Sequence, residues 1–256
     1  MGRELRGPAG FGEAGCATLT LYDEVGQVRR TVRLGRMPES GKATLKQMIE
    51  VEVSAILATQ SGWRLVAVAD GAPDNWTFLD QLLPEAEQVV DFYHAVEHLK
   101  WALDAAYGET SAKGAAQFEK LRHRLRDEPG GVERVIRSLV HLREQHPRRG
   151  VIERELKYFR KHRARMRYAE LAARKMPIGS GIVEAACKTL VSARLKRSGM
   201  RWREDGGQAI LTLRSWQQSD RFDRAWRMLA HSYKAEVRLP SKVDSLVRGT
   251  RPKVSV

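Results

Sequence analysis

Three acidic positions in this sequence could carry chemistry. Asp70 closes the apolar run Leu65–Ala69 and precedes Gly71. A run apolar on both faces reads as a central, often parallel strand. Open α/β sheets present functional groups at the carboxyl ends of such strands. A carboxylate there is costly unless something satisfies it, and a divalent cation would do so. Asp-Gly is equally an ordinary turn pair. Glu184 lies in the first turn of a helix that follows Gly179-Ser180-Gly181, where the helix dipole favours an acid. Val183, Ala185, Ala186 and Cys187 flank it, which suits a site, although Lys188 one turn on also suits a surface ion pair. Asp91, His94 and His98 follow a short strand. Their spacing could ligate a metal; a hydrogen-bonded strand-to-helix junction that positions the backbone is the plainer reading.

Cations gather beside Glu184. Lys188, Arg194, Lys196, Arg197, Arg201 and Arg203 surround Ser198-Gly199-Met200 and Trp202, a density that suits phosphate contacts. Upstream, Lys157, Arg160, Lys161, Arg163, Arg165 and Arg167 alternate with Tyr158, Phe159 and Tyr168, so charge and aromatic surface are expected to interleave. Solvated helix faces explain that upstream run equally well. The 256 residues hold 45 Lys and Arg against 31 Asp and Glu, for a net charge of +14. Residues 1–100 carry 10 basic and 14 acidic side chains; residues 101–256 carry 35 and 17, a net +18. A field of that size attracts polyanions, and double-stranded DNA is the natural partner. An anionic membrane surface is the weaker option, without a lipidation signal or a membrane-lying helix.

The elements that must position these residues change in character along the chain. Ala17–Tyr22 and Gln27–Leu34 read as a hairpin around the turn at Asp23. Ser40 is placed to cap a helix over about Gly41–Ala58. The Leu65–Ala69 strand, a short helix Pro73–Leu83 and a strand Glu87–Val90 follow. The rest reads as helical: Phe92–Tyr107, Ala112–Arg126, Val132–Gln145, a long basic helix Ile152–Ala173, Ile182–Arg197 and a last helix Gln208–Ser232. The basic tail 234–256 is expected to lack regular structure. Four units follow: a mixed α/β core at 13–107, helices at 108–175, the Glu184 helix and its successors at 176–233, and the tail. No run approaches the ~18 apolar residues of a membrane helix. The N-terminus lacks a signal-peptide segment, and two cysteines form neither a CxxC nor a framework of pairs. The expectation is a reduced, cytoplasmic protein.

Together these segments resemble a family. Val66-Ala67-Val68-Ala69-Asp70-Gly71-Ala72 with Asn75-Trp76 is similar to the second catalytic Asp block of bacterial insertion-sequence transposases with a DDE site. Asp91-Phe92-Tyr93-His94 with Glu97-His98-Leu99 resembles the Asp-x-x-His signature that follows it. Ile178-Gly179-Ser180-Gly181-Ile182-Val183-Glu184, Lys188, Arg194-Leu195-Lys196 and Ser198-Gly199-Met200-Arg201-Trp202 resemble the catalytic Glu block, most closely of the ISKra type. The resemblance runs from about Glu13 to Leu229. It implies an α/β (α+β) ribonuclease H-like core, a helical insertion, and a helical C-terminal region. It implies Mg²⁺ or Mn²⁺ held by the catalytic residues Asp70 and Glu184. Asp91, His94 and Lys188 would support the site. Arg194, Lys196, Arg197, Arg201 and Trp202 would contact DNA. It implies strand cleavage and transfer during DNA transposition, by a homo-oligomer on DNA.

The family's first catalytic Asp lies on a strand ahead of the hairpin. Met1 falls after that point, and Asp23 sits in the hairpin turn, away from the sheet centre. The expectation is therefore the C-terminal part of a transposase, lacking the core's first strand and inactive alone. The alternatives are a noncatalytic DNA-binding remnant that interferes with intact transposase, or a product without function.

Overall fold

The computed structural model describes residues 12–146 and 150–236. The chain is mixed α/β and mostly helical, with two separate two-stranded sheets among the described residues. The first is the antiparallel hairpin β1 (Gly15–Tyr22) and β2 (Val28–Arg36), with Leu19 opposite Val32 and Cys16 opposite Gly35. Asp23 makes the turn: its Oδ1 accepts from the amides of Val25 at 3.0 Å and Gln27 at 2.8 Å. The helix α1 (Ala43–Leu57) follows a 3₁₀ turn over Ser40–Lys42. Ser40 does not cap it. Lys42 takes a left-handed backbone at φ 54, which kinks the chain, and Glu39 Oε1 receives the Leu45 amide at 2.8 Å instead.

The second sheet is parallel. The strand β3 (Val66–Ala69) crosses over through α2 (Pro73–Leu82) to β4 (Glu87–Val90), in register from Val66 with Glu87 to Ala69 with Val90. The parallel pairing matches the expectation for an apolar run; among the described residues β3 has β4 as its one neighbour and is not central. Helices then build the main core: α3 (Phe92–Tyr107), α4 (Ala112–Asp127), α5 (Gly131–Gln145), α6 (Gly150–His162) and α7 (Tyr168–Ala173). Leu99, Leu103, Leu121, Leu125, Leu139, Ile152 and Leu156 are fully buried there, with Val89 and Val90 beneath them. Each such side chain stabilises the fold by about 1.5–3 kcal/mol relative to exposure.

Two long helices expected from periodicity are broken. The stretch 152–173 divides at a 3₁₀ turn over Arg163–Arg165. Phe159 and Tyr168 are both buried. At that separation an unbroken helix would point them to opposite sides; the break turns both inward. The stretch 208–232 divides into α10 (Glu204–Gln218) and α11 (Phe222–Glu236). Here Ser219 Oγ receives the Arg33 amide at 2.8 Å, Asp220 sits at φ 56, and Arg221 pairs with Glu52 on α1. Between them, α8 (Gly181–Ala186) runs into π-helical turns at Cys187–Ser192 and a last turn α9 (Ala193–Leu195). Ala186, Leu190, Val191 and Leu211 form a second buried cluster, against which Ala14, Cys16 and Met37 pack. The tail beyond Glu236 lies outside the described residues.

Candidate functional site

The carboxyl edge of β3 and β4 gathers the acids that the sequence singles out. The Asp91 amide donates to the Ala69 carbonyl at 2.9 Å, so Asp70 and Asp91 leave the sheet side by side. Asp91 is 6% exposed. It caps α3, its Oδ1 accepting the Tyr93 amide at 2.9 Å, while its Oδ2 accepts the Ser180 hydroxyl. The Phe92 amide donates to the Ile178 carbonyl at 3.0 Å. Gly179 is pressed against this junction; a Cβ there would stand 3.0 Å from the Tyr93 ring and 3.5 Å from Asp91 Oδ1. Asp91 is thus a positioning group with both oxygens engaged, and what it positions is the loop that opens α8.

Asp70 is exposed, and its Oδ1 accepts the Ala72 amide at 3.0 Å and the Asn75 side-chain amide at 2.9 Å. Its Oδ2 has no donor among the described residues. Glu184 is exposed on α8, its amide bonded to the Ser180 carbonyl at 2.8 Å. Its carboxylate makes no ion pair with Lys188 or any other described cation. The small apolar neighbours in sequence do not enclose it. Only Ala186 among them is fully buried, facing β1 on the other side of the helix.

Beneath Asp70 lies a cluster that sequence reading did not assemble. Tyr158 stacks on His98 with ring centroids 3.6 Å apart, and His94 meets His98 edge-on at 4.9 Å. His94 Nδ1 also stands 3.4 Å from Glu97. His98 Nδ1 bonds buried Glu155 at 2.5 Å. Burial pushes the Glu155 carboxyl up, but hydrogen bonds from His98 and Arg154 outweigh it and hold the group below the usual range. Burial, with Lys161 and Arg165 adding to it, pulls His162 down to about 4, and its Nδ1 has no partner. Tyr158 is pushed up by burial and then by Asp70 and Asp91, and its hydroxyl is also unpartnered. The cluster closes on the strand end. A Cβ on Gly71 would fall 2.5 Å from the Tyr158 ring and 3.4 Å from His162 Nε2. The signal for Glu155 was available: it shares the apolar stripe of Ile152, Leu156 and Phe159, where an acid needs a partner.

The two basic stretches differ. Phe159 and Tyr168 are core residues, and Tyr158 is half-buried with its ring stacked on His98, so the expected interleaving of charge and aromatic surface does not form on the upstream run. Some of its cations turn to neighbours: Lys157 to Glu153, Arg163 to Glu133, and Arg167 with Arg174 to Glu87, while Arg160 and Lys161 stay exposed. Arg165 lies 4.5 Å over the Trp76 ring. By contrast Lys188, Arg194, Lys196, Arg197, Arg201 and Arg203 are all exposed, and none pairs with a described carboxylate. Met200 and Trp202 stand exposed among them.

Among the described residues no three His, Cys, Asp or Glu side chains gather at metal-binding spacing, and no helix is long and apolar enough to cross a membrane. The chain matches no family model, no curated protein and no solved structure.

Proposed function

We propose that this chain is the catalytic region of a DDE-type insertion-sequence transposase of the ISKra type, working on double-stranded DNA as a homo-oligomer. The observation that carries the reading is the carboxyl edge of β3 and β4. Asp70 leaves the sheet there beside Asp91, and Asp91 holds Ser180 at the start of the helix bearing Glu184. On this reading β1–β4 with α1–α3 belong to a ribonuclease H-like core, and α4–α7 are its helical insertion.

Asp70 Oδ2 and the Glu184 carboxylate are exposed hard oxygens without described partners, and they fit Mg²⁺ or Mn²⁺ in kind. Bound there, such ions would activate a water or a DNA 3′-hydroxyl and offset charge on the leaving oxygen. Asp91 and His94 position the edge. Lys188, Arg194, Lys196, Arg197 and Arg201 hold phosphates, and Trp202 offers a flat apolar face to the duplex. The site needs three carboxylates, and two are identified. The reading therefore has this chain bind DNA and leave it uncut.

The second reading is a noncatalytic DNA-binding protein that interferes with an intact transposase. It is favoured by Asp70 Oδ1, which Ala72 and Asn75 already occupy. Both readings have the chain bind DNA uncut, so incubation with supercoiled DNA and Mg²⁺ or Mn²⁺ tests them together; Mn²⁺ binding that is lost in Asp70→Asn and Glu184→Gln separates them, because only the first places a cation there. Binding without nicking is expected. Metal-dependent nicking that disappears in Glu184→Gln would make this chain a complete enzyme. No binding at about 0.1 M salt would end both readings.

A further inference from the structure

The last helix stands clear of the body of the protein. No side chain of α11 from Phe222 to Lys234 is buried. Four of its large apolar side chains are exposed in a row, from 39% at Phe222 through Trp226 and Leu229 to 70% at Tyr233. Their 4-3-4 spacing puts all four within a ~60° arc of one face. The Phe222 and Trp226 rings are stacked with centroids 6.3 Å apart. Arg224, Arg227 and His231 fall on the opposite face. A helix of about 15 residues is marginal in water unless a neighbour covers its apolar face.

The stripe is complementary to itself. A 4-3-4 spacing reads the same in both directions, so two copies running antiparallel set Phe222 against Tyr233 and Trp226 against Leu229. This alternation of four and three is that of a two-stranded coiled-coil seam. Ala225, Ala230 and Ser232 flank the stripe and are small enough for close approach. The charges choose the direction. Asp223 and Lys234 lie on the same flank, about 20° apart around the helix and about three turns apart along it. Both are exposed, and neither has an oppositely charged partner among the described residues. A two-fold axis keeps that flank on one side of the pair. It brings Asp223 of each copy within about 3 Å, along the helix axis, of Lys234 of the other. A parallel pair would set Asp223 on Asp223 and Lys234 on Lys234.

The body of the protein continues the surface. Arg221, just before the stripe, pairs with both carboxylate oxygens of Glu52. Glu52 also borders a groove of about 210 Å³ between α1 and β2, lined by Leu34, Gln47, Met48 and the exposed Val51. An antiparallel copy delivers its Tyr233 to this end of α11. Three turns of one helix bury less than the ~800 Å² per partner of a standard interface, and the groove makes up part of the difference. Affinity in the micromolar range is expected.

We infer that the exposed face of α11 is a dimer interface that takes a second copy of this chain, antiparallel about a two-fold axis. It requires neither DNA nor metal, and it does not rest on the transposase reading.

The test measures the mass of the full chain by sedimentation equilibrium, without DNA, between about 1 and 100 µM. A rise from one chain to two is expected. Trp226→Glu should weaken pairing by about 10²-fold and keep its circular dichroism, because this side chain is already exposed in the single chain. Asp223→Lys and Lys234→Glu should each weaken pairing by about tenfold, and the double exchange should restore it. A chain that stays single at about 100 µM overturns the proposal, whether residues 237–256 or an anionic vesicle then prove to cover the stripe. A dimer indifferent to Trp226→Glu overturns it as well. Failure of the double exchange to restore pairing overturns the antiparallel direction. A single chain that still binds DNA counts against this interface alone; a dimer that does not bind DNA counts against the proposed function alone.

Discussion

Residues 150–175 carry nine Lys and Arg side chains and residues 185–203 carry six, yet the two stretches use their charge differently. In the first, five of the nine pair with carboxylates of the same molecule, and of the interleaved aromatics Phe159 and Tyr168 are buried and Tyr158 is half-buried. In the second there is no acid at all, and every cation projects from the surface without a described partner. Cations that face acids already present add little external field, whereas unpaired ones next to an exposed carboxylate create a place for a polyanion. Net charge along a sequence does not separate these cases; the location of the acids does.

The largest expected effect lies in the second stretch. Replacing Arg197 and Arg201 by Glu should lower affinity for double-stranded DNA by roughly 10²-fold at about 0.1 M salt, measured by fluorescence anisotropy, while leaving the thermal midpoint unchanged. Unchanged affinity would break the comparison. The first stretch answers in stability. Glu155→Ala removes a buried acceptor from His98 and should cost about 2 kcal/mol by urea unfolding, with DNA affinity kept once the protein is folded. Gly71→Ala should cost about 1–3 kcal/mol, because the new methyl meets the Tyr158 ring at 2.5 Å.

Acid sharpens the same division. His162 titrates at about 4 in the fold against 6.5 when unfolded. Between these values the unfolded chain binds more protons. The stability tied to neutral His162 is therefore whole above about 6.5, drains as pH falls, and is gone below about 4. The urea midpoint should drop from pH 7 to pH 5, and drop less in His162→Asn; equal drops would remove His162 from the account. Smallest of all, Arg163→Ala should cost about 0.5 kcal/mol, as exposed pairs do, and leave DNA binding alone.

Much of this was legible in the sequence. The strand Glu87–Val90 and the helix Phe92–Tyr107 match residue for residue, because Val89-Val90 directly before a helical repeat leaves little choice. The junction at Asp91 was readable as a hydrogen-bonded passage from strand to helix. What was not readable depends on distant partners. Tyr168 takes a buried place by donating to the Val90 carbonyl at 2.9 Å, which breaks a helix that its own periodicity would continue. Ser219 does the same through Arg33 on β2. The partnership of Glu155 with His98 joins segments far apart in the chain, and no local pattern encodes it.

The central claim is that the unpaired cations after Glu184, and not the paired ones of the upstream stretch, meet DNA phosphates. It is tested by the slope of log affinity against log salt for three proteins: wild type, Arg194/Lys196/Arg197→Ala, and Lys157/Arg163/Arg167→Ala. Each lost phosphate contact should flatten the slope by roughly 0.9. The account predicts a slope flatter by about 2–3 for the first triple variant and no change for the second. The reverse pattern, or equal flattening in both, would contradict it.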